Sequence, residues 1–226
     1  MSNEVNSKYD VTDLTSLEKL EPVRIRPGMY IGSTGTKGLH HCIWEILDNS
    51  IDEISNGFGN KATIIINKDK SVTVIDNGRG IPTGIHPIKK KSGVEMVFTE
   101  LHTGGKFDNK NYKTSGGLHG VGAAVVNALS KWLEVEVHQN GKIYKQRFEY
   151  AYDKELKKEM PGTPVTALEV VGKANYTGTR VTFKPDSEIF STTDFKFDII
   201  DERLQELAFQ NRGIRLELID NRKDEE

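Results

Sequence analysis

Residues 71–82 read Ser71-Val72-Thr73-Val74-Ile75-Asp76-Asn77-Gly78-Arg79-Gly80-Ile81-Pro82, and this stretch decides how the rest of the chain is interpreted. Alternation from Ser71 to Ile75 predicts a β-strand, which ends at the carboxylate of Asp76. Gly78 and Gly80 follow, so a ligand can approach this backbone closely because no side chains intervene. The stretch predicts a ligand site at a strand end. An ordinary Asn-Gly hairpin turn explains the same residues, and the stretch alone leaves both open.

The helix predicted before that strand, residues 39–56, carries its polar side chains on one stripe. The stripe stands at positions i, i+3, i+4 and i+7 and consists of Glu45, Asp48, Asn49 and Asp52. Isoleucines and Leu47 occupy the other side, which predicts that the helix packs on a sheet. A solvated outer face is the ordinary alternative for such a stripe. It loses weight because apolar Trp44 and Ile46 flank Glu45 and because the strand that ends at Asp76 follows one hairpin later.

Glycines cluster between residues 103 and 122, just before a run that favours a helix, residues 123–129. Free amides and the helix dipole make such a junction an anion site, and glycines let the backbone wrap a phosphate. The P-loop pattern fails because Lys106 is followed by Phe107 rather than by Ser or Thr. The Rossmann fingerprint also fails, because Gly120-Val121-Gly122 lacks its third glycine. The segment therefore predicts a phosphate site of another kind.

The composition is that of a globular domain of 226 residues, with 36% hydrophobic and 28% charged residues. The net charge is −2, whereas a nucleic-acid-binding domain usually has an excess of basic residues. We therefore expect this segment to hold DNA weakly or not at all. A single cysteine, Cys42, excludes a disulfide framework and a Cys-rich zinc site. No apolar run reaches the ~18 residues of a membrane span and no signal peptide is present, which predicts a cytoplasmic location.

Periodicity predicts a hairpin, a second long helix and a set of later strands. The predicted strands are residues 62–67, 71–76, 133–139, 142–150, 165–171, 178–184 and 214–219. The other predicted helices are residues 94–101 and 193–210. Residues 155–163, which are charged and contain Pro and Gly, are predicted to be a surface loop, and the later strands to form an antiparallel meander.

Four motifs resemble the signature elements of the gyrase, Hsp90, histidine kinase and MutL (GHKL) ATPase superfamily. They are Trp44-Glu45-Ile46-Leu47-Asp48-Asn49, Asp76-Asn77-Gly78-Arg79-Gly80-Ile81-Pro82, Gly117-Leu118-His119-Gly120-Val121-Gly122 and Thr177-Gly178-Thr179. Two further runs, residues 26–32 and 112–117, look like the B-type subunits of bacterial type II topoisomerases. The resemblance extends from about Tyr9 to Asp220.

The resemblance implies an α+β fold: a two-layer α/β sandwich in which helices cover one face of a mixed, mostly antiparallel sheet of about eight strands, the Bergerat or GHKL ATPase fold. It also implies three parts: an N-terminal arm (residues 1–15), an ATP-binding domain (residues 16–220) and the start of a continuation into a transducer domain (residues 221–226). A lysine that completes the family's active site would lie beyond Glu226. We therefore expect the isolated segment to bind ATP, to turn it over slowly and to be largely monomeric.

The resemblance further implies roles that the chemistry of the residues permits. Asp76 would accept a hydrogen bond from the adenine amino group. Asn49 would coordinate Mg²⁺, a cation that prefers oxygen ligands and bridging phosphates. Glu45 would be the general base on the attacking water, with His41, one helical turn earlier, as a helper.

Other residues would surround the nucleotide. Lys106 and the loop to Ala123 would cover the phosphates, Thr179 would line the adenine side, and Tyr9 would reach into the site of a partner subunit. The nucleotide-binding residues implied in this way are Tyr9, Asn49, Asp76, Gly78, Gly80, Ile81, Lys106, Gly117, Leu118, His119, Gly120, Val121, Gly122, Ala123 and Thr179. Gln139 departs from the family, whose members often carry arginine there, and this puts inhibitor contacts in doubt.

The function implied is ATP binding and hydrolysis that drive a dimeric clamp around DNA. The implied partners are a second copy of the subunit, the A-type DNA-cleaving subunit, and DNA held by the full-length complex. Residues 187–197 and 32–38 look slightly more like topoisomerase IV, but the segment leaves gyrase and topoisomerase IV open. The alternatives are a chaperone or mismatch-repair ATPase of the same superfamily, and a non-catalytic nucleotide-binding module, against which the presence of Glu45 argues.

Overall fold

The computed structural model describes residues 17–102 and 120–222. The helices among them are α1 (Glu21–Ile25), α2 (Gly28–Ile31), α3 (Thr36–Ser55), α4 (Gly93–Thr99), α5 (Gly122–Ala128) and α6 (Phe197–Gln210). The strands are β1 (Lys61–Ile66), β2 (Val72–Asp76), β3 (Ser130–Gln139), β4 (Lys142–Asp153), β5 (Lys158–Pro164), β6 (Glu169–Lys173), β7 (Gly178–Pro185) and β8 (Arg215–Asp220). No helix in these two segments is long and apolar enough to span a membrane.

The eight described strands form one mixed sheet in the order β5-β4-β3-β7-β2-β1-β8, with β6 also paired to β4. Only the β1–β8 pair among them is parallel, which confirms the predicted mixed, mostly antiparallel sheet. The predicted meander is wrong. β7 does not simply follow β6 but inserts between β3 and β2, and β8 crosses to the far side of β1.

Helices pack on one face of this sheet. Along that face, buried Val74 lies opposite Ile64 on one side and Val181 on the other, and Val181 lies opposite Val135. The apolar side chains of α3 and α5 join the same buried cluster. The opposite face carries cross-strand ion pairs instead, such as Lys145 Nζ to Glu134 Oε1 at 2.8 Å. The two-layer α+β fold is therefore confirmed.

The predicted surface loop at residues 155–163 is wrong, because most of it is strand β5. Its middle, Met160 to Gly162, is buried, and β4 continues to Asp153 to pair with it. Prolines are tolerated in this strand because β5 lies at the edge of the sheet. The strand predicted at residues 165–171 begins later, as β6.

The long helix α3 begins at Thr36, three residues before its predicted start. Gly38 makes this start possible, because a β-carbon there would overlap the carbonyl oxygen of Ser33. His40 lies in the first turns of this helix, and its Nε2 accepts a hydrogen bond from the amide of Lys196 at 2.9 Å. This contact ties α3 to the start of α6.

Candidate functional site

Asp76, the last residue of β2, is held as a buried hydrogen-bond acceptor. Its side chain is 8% exposed. The hydroxyl of Ser50, on α3, donates to Oδ2 at 2.9 Å. The amides of Gly78 and Thr179 donate to Oδ1 at 2.9 Å and 3.2 Å. Because the donors come from a helix, a loop and a neighbouring strand, the orientation of this carboxylate depends on the assembled fold.

Burial raises the pKa of Asp76 above its ordinary value, because the charged form loses its hydration. The negative charge of Glu53 acts in the same direction, while the three hydrogen bonds from Gly78, Ser50 and Thr179 oppose the increase. These donors stabilise the ionised form specifically, since a carboxylate accepts hydrogen bonds and does not donate them. The site thus presents a firmly oriented hydrogen-bond acceptor in a poorly hydrated position.

Two glycines allow the chain to close around Asp76. A β-carbon on Gly178 would overlap the carbonyl oxygen of Asp76. Gly80 has a φ of +81°, and a β-carbon there would lie 2.9 Å from Cγ1 of Val137. The backbone after β2 therefore lies directly against β3 and β7, a close approach to protein atoms that was not predicted from the sequence.

A second group on α3 consists of His41, Glu45 and Asn49, which follow one another at intervals of about one helical turn. Nε2 of His41 lies 2.9 Å from Oε1 of Glu45. The amide Nδ2 of Asn49 donates to the carbonyl oxygen of Glu45 at 2.9 Å, which fixes the orientation of the amide. The hydrogen bond to Glu45 raises the pKa of His41, and burial opposes this only in part. His41 therefore favours its charged form beside the Glu45 carboxylate.

The backbone at the start of α5 packs against this carboxylate. A β-carbon on Gly122, the first residue of α5, would overlap Oε2 of Glu45. Gly120 has a φ of +59°, which lets the chain turn into the helix. Val121 and Gly122 are half-buried and Ala123 is buried. Glu45 is thus held between the His41 ring and a glycine backbone.

The two groups belong to one site because α3 carries both of them. Ser50, which contacts Asp76, follows Glu45 by five residues, or about 7.5 Å along a helix axis. Thr179, Gly78, Gly80 and half-buried Ile81 gather at the Asp76 end, and Gly120 to Ala123 lie at the Glu45 end. Five of the predicted site residues lie outside the described residues: Tyr9, Lys106, Gly117, Leu118 and His119.

Sequence reasoning assigned no role to several residues at the Asp76 end. Glu53 accepts two side-chain hydrogen bonds from Arg79, at 2.7 Å and 3.0 Å, and the guanidinium lies 3.6 Å from the centre of the Phe58 ring. Gln139, identified from the sequence only as a departure from the family, donates to the carbonyl oxygen of Arg79 at 3.2 Å. Ser50 was also missed, although a polar residue on the apolar face of a helix signals a buried hydrogen bond.

A magnesium ion fits the residues of this site only if a ligand completes its coordination. No cluster of three or more His, Cys, Asp or Glu side chains suited to a metal occurs in residues 17–102 and 120–222. Mg²⁺, however, commonly takes one or two protein oxygens together with substrate phosphates. The oriented amide of Asn49 matches that pattern better than it matches a metal site formed by protein alone.

The fold and this site define an ATPase class. The family model described as "Histidine kinase-, DNA gyrase B-, and HSP90-like ATPase" matches residues 34–189, and the chain belongs to this family. This confirms the superfamily resemblance of the four motifs.

Particular relatives are the B-type subunits of topoisomerases. The chain is 54% identical over 221 residues to the B-type subunit of DNA topoisomerase 4 from Staphylococcus epidermidis and 52% identical over 218 residues to that of DNA gyrase from Halalkalibacterium halodurans. These matches cover 97% and 96% of this chain but only 32% of each relative. A solved structure, the 43K ATPase domain of Thermus thermophilus gyrase B in complex with an aminocoumarin, matches 91% of this chain and 50% of its own, with a TM-score of 0.77 and 41% identity.

Proposed function

We propose that this chain binds ATP together with Mg²⁺ and is the ATP-hydrolysing part of the B-type subunit of a bacterial type II topoisomerase. The observation that carries the proposal is the buried, triply hydrogen-bonded carboxylate of Asp76 on the same helix-bounded site as the Glu45–His41 pair. One end of the site suits a base that offers an N–H donor. The other end suits a hydrolytic reaction.

Asp76 recognises adenine by accepting a hydrogen bond from its amino group. A charged acceptor makes such a bond short and strong. The glycine backbone at Gly78 and Gly80, the Ile81 side chain and Thr179 lie beside Asp76 and line the base. The donors on the carboxylate are in place before the ligand arrives, so its orientation costs little on binding.

Glu45 accepts the proton of the attacking water, and the nearby His41 orients its carboxylate. Asn49 would supply an oxygen ligand to Mg²⁺, and the ion when bound would neutralise phosphate charge. The backbone from Gly120 to Ala123 approaches the phosphates. For the residues outside the described ones, we propose that Lys106, Gly117, Leu118 and His119 also contact the phosphates and that Tyr9 reaches the site of a second copy.

At the level of the whole protein, ATP binding closes a dimeric clamp that passes one DNA duplex through another. The chain spans 32% of the length of its topoisomerase relatives, so strand passage involves segments that this chain does not contain. The proposed partners are a second copy, the A-type subunit and DNA, in the cytoplasm of a bacterium. The chain is almost equally similar to its gyrase and topoisomerase IV relatives. Assays of DNA supercoiling and of DNA decatenation by the reconstituted enzyme distinguish the two.

The decisive experiment is Asp76→Ala, measured by calorimetry with a non-hydrolysable ATP analogue. Losing a hydrogen bond to a charged group costs about 1.5 to 3 kcal/mol, so affinity falls about ten- to a hundredfold. Asp69→Ala, at a half-exposed carboxylate in the β1–β2 turn, is the matched control and leaves affinity unchanged. Circular dichroism checks that both variants fold. Unchanged affinity in a folded Asp76→Ala chain would refute the proposal.

A further inference from the structure

Ser50 is a polar side chain on the apolar face of α3. It is 3% exposed and lies among buried residues such as Ile46, Leu47 and Ile51. A serine hydroxyl has a single proton to donate, and Ser50 donates it to Oδ2 of Asp76 at 2.9 Å. A buried hydroxyl in this position therefore acts on one group, the Asp76 carboxylate.

The donors already present determine what Asp76 can accept from a ligand. An ionised carboxylate has about four acceptor positions, two on each oxygen. The amides of Gly78 and Thr179 occupy those of Oδ1, and Ser50 occupies one of Oδ2. Within the described part of the chain, this leaves one acceptor position, on Oδ2, next to the Ser50 hydroxyl. A ligand must offer a single N–H donor there.

The groups that face Asp76 also determine its charge. From α3 come Ser50 and the carboxylate of Glu53, which is itself paired with Arg79. The loop after β2 contributes the Gly78 amide, and β7 contributes the Thr179 amide. Burial and Glu53 disfavour the ionised form, whereas the three donors favour it. Of these donors only Ser50 acts through a side chain, so it is the one that a substitution can remove.

We propose that Ser50 is a specificity-determining residue, whose hydroxyl keeps Asp76 an ionised acceptor and makes the pocket select 6-amino purines over 6-oxo purines. A 6-oxo purine places a carbonyl oxygen where adenine has its amino group, and a carboxylate repels it. A neutral carboxylic acid would instead donate its O–H to that oxygen. Selectivity thus depends on the charge of Asp76. This inference rests on the proposed function, in which Asp76 receives the base.

The test compares ADP with inosine diphosphate by calorimetry, with Mg²⁺ present, from about pH 5 to pH 8. The two probes carry the same diphosphate, so titration of the phosphates cancels in the ratio of their affinities. In the parental chain ADP is preferred across this range. In Ser50→Ala the preference for ADP is retained at the alkaline end and falls about tenfold or more towards the acid end, because Asp76 becomes protonated at a higher pH.

Three further variants make the outcome decisive. Ser50→Thr keeps the hydroxyl and restores the parental ratio. Ser50→Cys has a similar shape with a weaker donor; it gives an intermediate ratio and serves if Ser50→Ala does not fold. Ser55→Ala is the matched control, because Ser55 is exposed on the same helix and its hydroxyl donates to Asn211, away from Asp76.

The possible failures are distinguishable. If the parental chain binds neither nucleotide, the proposed function is wrong and the inference falls with it. If the parental chain binds ADP and the folded Ser50→Ala and Ser50→Cys variants keep the parental ratio at every pH, Ser50 has no part in base selection and only this inference is overturned.

Discussion

Gly122→Ala tests whether the start of α5 positions the carboxylate of Glu45, the proposed general base. The added β-carbon would overlap Oε2 of Glu45 and lie 2.9 Å from its Cδ and 3.1 Å from its Cβ. Carbon atoms in ordinary contact are about 3.5 to 4.0 Å apart. Because the Glu45 side chain is 31% exposed, its carboxylate can rotate outward, whereas the contact with Cβ requires a shift of a few tenths of an ångström between α3 and α5. The substitution should therefore displace the carboxylate without unfolding the domain.

The size of the effect follows from these distances. The Cδ atom of Glu45 must move by about 0.6 Å or more to reach ordinary contact, and its Oε2 must move further. A misplacement of about 1 Å in a catalytic site can cost about 10²-fold in rate, so we expect hydrolysis to fall by about that factor. Stability should change little, since alanine favours a helix over glycine by about 0.5 to 1 kcal/mol and the close contact with Cβ of Glu45 offsets that gain.

Two measurements check this expectation. ATP hydrolysis is followed in the full-length subunit, and the His41 pKa is followed by NMR in the present chain. The 2.9 Å contact between His41 and Glu45 is lost in the variant, so the His41 pKa falls towards its ordinary value. The control is Gly28→Ala, which places an alanine at the first residue of another helix with no atom within 4 Å of the new carbon. A parental rate together with a parental His41 pKa in Gly122→Ala would refute the reasoning.

Two more substitutions probe the two ends of the site. In the full-length subunit, Glu45→Gln should keep nucleotide binding and slow hydrolysis about 10²- to 10⁴-fold, and a parental rate would make Glu45 structural. In the present chain the same substitution should flatten the dependence of unfolding free energy on pH. The parental pair stabilises the fold fully below the ordinary pKa of histidine, about 6.5, and loses this contribution as the pH rises through the raised pKa of His41; an unaltered pH dependence in denaturant titrations would count against this. Gly80→Ala should destabilise the domain by about 1 to 3 kcal/mol and by more than Gly141→Ala, whose φ of +74° is similar but whose surroundings are open. Equal losses in urea titrations would show that contact with Val137 is unimportant.

Local sequence patterns correctly predicted the elements whose spacing or turn residues are characteristic by themselves. The β1–β2 hairpin lies within one residue of its expected limits. The Asn140-Gly141 turn has positive φ at both residues, as a tight hairpin requires. His41 was named from the resemblance as a helper of Glu45, one helical turn away, and the two side chains lie in contact.

Strand β5 and the strand order were not predictable in this way. Prolines and charges in residues 158–164 imitate a surface loop, and only pairing with β4 makes them a strand. The position of β7 between β2 and β3 depends on pairing between residues far apart in the chain, such as Val72 with Phe183 and His138 with Gly178. Periodicity within one segment does not report which other segment it will pair with.

The candidate site likewise contains residues that a local pattern identifies and contacts that only the folded chain creates. Asp76 and its glycines could be identified because a strand end followed by glycines is a local pattern. The contact of Ser50 with Asp76 and that of Glu53 with Arg79 each join residues 26 positions apart. They depend on how α3 lies on the sheet, which no single segment encodes. The predictions for Tyr9, Lys106, Gly117, Leu118 and His119 stay predictions, since these residues lie outside the described part of the chain.

The insertion of β7 beside β2 also determines when, during translation, the sheet around Asp76 can be completed. Thr179, which donates to Asp76, follows it by 103 residues. A ribosome that adds about 5 to 20 residues per second needs roughly 5 to 20 s to cover that distance. Throughout this interval the β2 edge of the nascent hairpin has no partner from β7, and unpaired edges invite wrong pairing. The full set of donors to Asp76 is therefore present only after β7, which ends at Pro185, has been synthesised, so a nucleotide that depends on those donors cannot stabilise the chain earlier.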